Sequence, residues 1–211
     1  MRRMSRFRLA LALAVGAAAC SDSAGPGGPG TPALPGTIRS LAQLFLVHRA
    51  AGALAVDLST TFYAVRGQGR EGVLYYRSPT GQPMEEFARL KLSDKTLLAN
   101  PDGSPVAQGD SVLITMRVVD PALLLVEFSP SGLRFDPSEP AELEIRYAEA
   151  DDDFNEDGLH DGRDAQIEAE LGIWRQETPL DPFVRLNSTL VTMSKSARSN
   201  ITGFTRYALA Y

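Results

Sequence analysis

From about Thr37 onward the apolar residues of this chain recur mostly at every second position, in short runs broken by turn residues. That period constrains the fold more than any other feature, because side chains alternate across a strand but not around a helix. The clearest run is 141–147. Ala141, Leu143, Ile145 and Tyr147 share one face, and Glu142, Glu144 and Arg146 share the other. This is the pattern of an antiparallel strand with one face buried. Segment 111–119 (SVLITMRVV) is β-branched and apolar. Segment 122–128 (ALLLVEF) follows Asp120-Pro121 and runs into the turn residues 129–132. Segments 60–66 and 72–77 are aromatic, with glycines between them. Segment 166–174 alternates again, with Ile167, Ala169, Leu171 and Ile173 on one face, and shorter strands fit 188–193 and 204–211. Segment 38–48 is ambiguous between helix and strand, and 84–90 fits one helical turn. Many short strands at regular spacing predict an all-β fold, an antiparallel β-sandwich with a long acidic hairpin loop between 141–148 and 166–174.

The N-terminus departs from this pattern. Arg2, Arg3, Arg6 and Arg8 precede a short apolar stretch from Leu9 to Ala19, too short to span a bilayer as a helix. The arrangement reads as an export signal over 1–20. Its end, Ala17-Ala18-Ala19-Cys20, resembles the lipobox of bacterial lipoproteins, with Ala17 where that family more often has leucine. The resemblance implies lipidation at Cys20, attachment to a membrane through that N-terminal lipid and, because Ser21 and not aspartate follows, residence at the outer membrane of a bacterial cell envelope. The competing reading is ordinary signal-peptidase cleavage, with Cys20 incidental. Cys20 is the only cysteine, and a lone free thiol would be unusual in an exported protein. Residues 21–37 are rich in Gly, Pro and Ser and read as a tether. The remainder, 38–211, is long enough for a single domain with its own core.

Charge narrows the partners. The chain carries 21 Lys and Arg against 26 Asp and Glu, and its first eight residues hold four of those arginines and no acid. The rest is more acidic still, which argues against a nucleic-acid partner and suits a cation.

The segment 151–168 (DDDFNEDGLHDGRDAQIE) holds the most specific chemical pattern. With Asp153 as position 1, Asn155 is 3, Asp157 is 5, Gly158 is 6, Leu159 is 7, Asp161 is 9 and Asp164 is 12. This is the spacing of an EF-hand-type calcium loop, in which alternate side chains and one backbone carbonyl supply hard oxygens and a glycine permits the sharp turn. Aspartate in place of glutamate at position 12 resembles the dockerin variant. The expected ligands are Asp153, Asn155, Asp157, the Leu159 carbonyl, Asp161 and Asp164, with calcium as the cofactor and strands on both flanks. The plainer alternative is a solvated acidic turn.

Residues 131–147, then Trp174, then 201–211 are similar to the β-sandwich domain shared by ankyrins and netrin receptors, relatives of which occur in bacterial lipoproteins. Gly132, Phe135, Pro140, Trp174, Phe204 and Tyr207 carry the similarity, and Gly203 and Thr205 depart from it. The similarity implies fold and a role in protein contact, and names no partner.

Catalytic patterns are sparse. The chain has neither G-x-S-x-G nor S-x-x-K. Gly67, Gly69 and Gly72 form a G-x-G-x-x-G flanked by strand-like runs, which reads as a hairpin turn. Of two histidines, His160 lies inside the acidic loop, where it faces solvent, and His48 lies in an apolar stretch, where a structural role is expected. Glu142 and Glu144 read as an exposed strand face. The sequence therefore points to a non-enzymatic, lipid-anchored extracytoplasmic binding or structural module with a protein or glycan partner. The alternative is a carbohydrate-active hydrolase using paired carboxylates. Tyr63, Tyr75, Tyr76 and Trp174 lie in strands whose two faces both carry large residues, so most are expected in the core, whereas a surplus on one face would make a binding patch.

Overall fold

In the computed structural model, which describes residues 33–211, the alternating runs become strands of two antiparallel sheets packed face to face. Cys20 and the tether up to residue 32 lie outside the described residues. The first sheet has seven strands in the order β1 (Ile38–Arg39), β12 (Phe183–Arg185), β11 (Gly172–Gln176), β15 (Arg206–Ala210), β8 (Leu125–Ser129), β7 (Ser111–Val118) and β3 (Ser59–Val65). The second has six, in the order β13 (Ser188–Val191), β14 (Ser196–Ile201), β10 (Ala141–Arg146), β5 (Pro83–Leu92), β4 (Arg70–Arg77) and β2 (Ala55–Val56). A small pair, β6 (Leu97–Ala99) with β9 (Arg134–Phe135), stands apart from both.

The core lies where the inner faces meet. Leu74, Leu90, Ile114, Leu143 and Ile145 are fully buried there. Gly132, Phe135, Phe204 and Tyr207 are core or turn positions. Phe204 stacks on Phe128 at 5.2 Å and meets Phe135 edge-on at 4.9 Å. The Tyr207 hydroxyl donates to the Gly203 carbonyl at 2.6 Å, and Gly132 takes the left-handed backbone (φ +85°) of the turn before β9. Trp174 points to the other side of its sheet. It is buried with Leu44, Leu125 and Phe183 in a second cluster, against which Ala33 and Leu46 pack. Its indole N–H donates to the Ala210 carbonyl at 3.1 Å. Both faces of β11 are therefore buried, which is why Ile173 and Trp174 are both large.

Several sequence expectations are corrected. The 84–90 segment is not helical but the middle of β5, and 122–128 becomes strand only from Leu125. The run 166–174 is not one strand: helix α1 (Gly162–Glu170) precedes β11. The G-x-G-x-x-G turn joins β3 in one sheet to β4 in the other, so it is a crossover between sheets and not a hairpin. Its last glycine sits beneath a ring: a Cβ on Gly72 would lie 2.0 Å from Phe62 Cε1. Glu144 is not exposed. It is 1% accessible and held by arginines of the neighbouring strands. His48 is exposed and not structural. Tyr76 and Trp174 are core, as expected, and Tyr63 is the exposed aromatic of that set.

Candidate metal centre

The acidic segment leaves β10 in the second sheet and enters β11 in the first, so it bridges the sheets. Its two ends are fixed by core contacts. Before the loop, the Asp151 N–H donates to the His48 carbonyl at 3.0 Å, and Phe154 buries its ring in the main core. The Tyr211 hydroxyl donates to the Phe154 carbonyl. Beyond the loop, Ile167 of α1 is buried, and the Tyr147 hydroxyl donates to Glu168 Oε1 at 3.0 Å. Lys195 Nζ reaches Asp152 at 2.8 Å.

Between these anchors the candidate ligands fold the loop on itself. Asp153 accepts from the N–H groups of Asp157 (3.1 Å) and Gly158 (2.7 Å). Asn155 Oδ1 also accepts from Asp157 N–H, at 3.0 Å, and its amide donates to Asp157 Oδ2 at 3.0 Å. Asp157 Oδ1 accepts from Leu159 N–H at 2.9 Å. Two residues take the left-handed backbone needed to reverse the chain, Glu156 (φ +58°) and Gly158 (φ +82°). The glycine thus stands where the loop pattern requires one. Leu159 exposes its side chain, as suits a residue expected to act through its carbonyl.

Asp164 closes the loop. Its Oδ1 accepts from Asn155 N–H at 3.3 Å and its Oδ2 from Asp161 N–H at 2.9 Å. Asp161 in turn accepts from Arg163 N–H at 2.7 Å. Together Asp161 and Asp164 make a capping box at the start of α1, so positions 9 and 12 of the loop are also the N-cap and N3 of the helix. Burial pushes the Asp164 carboxyl up, but the N–H groups of Asp161, Asn155 and Phe154 outweigh it and hold it below the ordinary range. The expectation of strands on both flanks fails on this side. The loop opens from a strand and closes into a helix, as the second half of an EF-hand does.

The donor set is all hard oxygen, as calcium requires. Both Asp164 oxygens accept backbone N–H groups, and a carboxylate with about four lone-pair sites keeps capacity for a further partner. The carboxylates face the amides of the loop, and among the described residues no three His, Cys, Asp or Glu side chains gather as a metal-holding group.

Beside the loop lies an open pocket of about 260 Å³. Phe45 and Tyr211 stack at 5.2 Å on one side, Leu41 and His48 add to the wall, and Phe154 and Glu156 come from the loop itself. Burial, with Glu156, Asp164 and Asp153 nearby, pushes the Tyr211 phenol up to about 12. Sequence reasoning missed this pocket because its walls come from segments 41–48 and 151–156, from Leu123 and from Tyr211, which nothing local in the sequence links. It also missed α1, although Asp161 followed three residues later by Asp164 is a helix-start signal.

No helix among the described residues is long and apolar enough to cross a membrane. Compared with known protein families, curated proteins and solved structures, the chain matches none.

Proposed function

We propose that this chain is a lipid-anchored, extracytoplasmic binding or structural module of the bacterial cell envelope, and that calcium orders its 153–164 loop. The observation that carries the reading is the coincidence of two independent patterns on the same residues. Oxygen donors stand at alternate positions around Gly158, and the last two of them cap the helix into which the loop runs. A merely solvated acidic turn needs neither the left-handed glycine nor the helix. The metal would bring an inner cation to carboxylates that otherwise repel one another, and Asp153, Asn155, Asp157, Leu159, Asp161 and Asp164 would hold it. Phe154 and Glu156 tie the pocket to the loop, so a protein or glycan partner stacking on Phe45 and Tyr211 would meet a wall set by the metal.

The anchor rests on Cys20, the only cysteine, after a basic and apolar leader and before a Gly/Pro-rich tether. Titration of the full chain with calcium tests the metal. Heat is expected at about 0.1–1 mM calcium, the range of extracellular modules, and should vanish in Asp157→Ala. Absence of heat at millimolar calcium defeats the metal reading. Mass spectrometry of the N-terminal peptide tests the anchor independently: acyl chains on Cys20 support it, and an unmodified thiol rejects it.

A further inference from the structure

The free edge of the seven-stranded sheet is unlike the other sheet ends. β1 and β2 have two residues each, and β13 has four and runs into a 3-10 turn. The part of β4 that β2 leaves open carries Arg70 and Glu71, and the N–H of Tyr75 there is taken by Asp57 Oδ2 at 3.1 Å. Short length and charge are the devices by which sheets protect their ends. β3 has neither. It runs seven residues, STTFYAV, with no charge and no proline, and it pairs with β7 along its whole length without a bulge.

The register shows which groups are left over. Val118 N–H donates to the Leu58 carbonyl and Arg66 N–H to the Asp110 carbonyl, each at 2.9 Å. Antiparallel pairs alternate between bonded and non-bonded, so Thr60, Phe62 and Ala64 direct their backbone groups to β7. Ser59, Thr61 and Tyr63 direct theirs outward, as does the Val65 N–H, and among the described residues nothing bonds to them. The side chains of these same residues lie on the outer face. There Tyr63 stands opposite Leu113, and the two are 60% and 49% exposed.

We propose that β3 is a self-pairing edge, through which two copies of this chain join their seven-stranded sheets antiparallel about a two-fold axis. A row of unpaired amides and carbonyls demands an extended strand, and a second β3 supplies one in matching phase. With Ser59 opposite Val65 and Thr61 opposite Tyr63 of the other copy, the outward groups of both strands meet. A two-fold contact sets each patch against itself, so a charged edge would repel its copy, whereas β3 brings none. The Tyr63–Leu113 pair of each copy continues the apolar strip across the joint. This inference is independent of calcium and of the lipid.

The test combines sedimentation with residue-resolved amide exchange on the full chain over about three decades of concentration. The expected result is a dimer at high concentration, with the amides of Ser59, Thr61, Tyr63 and Val65 slowed only there. The amides of Thr60, Phe62 and Ala64 should be slow throughout. Thr61→Lys and Thr61→Glu, both at an exposed position, should each weaken association at least ~10-fold and leave the melting temperature of the dilute monomer unchanged. Mixing the two variants should restore association. A monomer at every concentration overturns the proposal. So does a dimer whose outward β3 amides stay fast, or slow exchange in the dilute monomer, which would mean that the same chain covers its own edge. Protection only on addition of an extended peptide from another protein would also overturn it in favour of that occupant.

Discussion

Replacing Glu144 by alanine should destabilise the domain more than its position on an alternating strand suggests. The carboxylate is 1% exposed and lies at the centre of three strands. In register it stands opposite Arg89 of β5 on one side and Arg198 of β14 on the other. Arg89 Nη2 donates to Oε2, Arg198 Nη2 donates to Oε1 at 3.3 Å, and Arg146 Nε lies 3.6 Å away. Removing one partner of a buried ion pair costs about 3–5 kcal/mol, because the remaining charge is left uncompensated. Here the arginine side chains are 25%, 26% and 41% exposed, so water recovers part of that cost, and ~2–3 kcal/mol is expected. For a domain of this size that corresponds to a fall in melting temperature of about 4–12 °C. Glu144→Gln, which keeps the shape and one acceptor oxygen, should lose about 1–2 kcal/mol. The acid limb of the stability profile gives a second readout. Burial pushes the Glu144 carboxyl up, but the hydrogen bonds from Arg89 and Arg198 outweigh it and leave it below the ordinary value of 4.5. Its contribution is therefore complete above that value and is lost as the pH falls through the lower folded value. Urea denaturation from about pH 7 to about pH 3 should show a shallower acid decline in Glu144→Gln than in wild type. A Glu144→Ala protein within about 0.5 kcal/mol of wild type at neutral pH would mean that the arginines need no buried partner.

Other substitutions probe the crossover and the loop. Gly72→Ala would drive its new methyl into the Phe62 ring, and the cost of overpacking, about 1–3 kcal/mol, should appear as a lower urea midpoint. In chelator, Asp164→Ala should lose about 1–2 kcal/mol, because it removes the N3 half of the capping box and the bond to Asn155 N–H. Asp157→Ala, at an exposed position, should leave metal-free stability within about 0.5 kcal/mol of wild type. Thermal unfolding with and without chelator separates these two roles.

Strands with one face in the core could be read from the sequence, because the alternation in 141–147 reports burial directly and the β-branched, apolar run 111–119 favours a strand. Where both faces are covered the alternation disappears, and Trp174 could be placed on neither face until segment 33–46 was seen to pack over it. The run Ile167, Ala169, Leu171, Ile173 misled for a different reason. Ile167 and Leu171 are also four apart, and both are buried, so helix and strand periods overlap there and only the cap at Asp161 and Asp164 decides. Glu144 was misplaced because alternation says which way a side chain points but not what arginines lie opposite. Of the candidate site, the donor spacing and Gly158 were legible. The pocket was not, since Phe45, Phe154 and Tyr211 meet only through the fold.

Amide exchange across 151–165, in chelator and in millimolar calcium, reads whether a cation orders residues 153–164. Calcium should slow the loop amides, raise the melting temperature, and do neither in Asp157→Ala. Equal exchange with and without calcium in the wild-type chain, or equal slowing in Asp157→Ala, would mean that no cation at these ligands orders the loop.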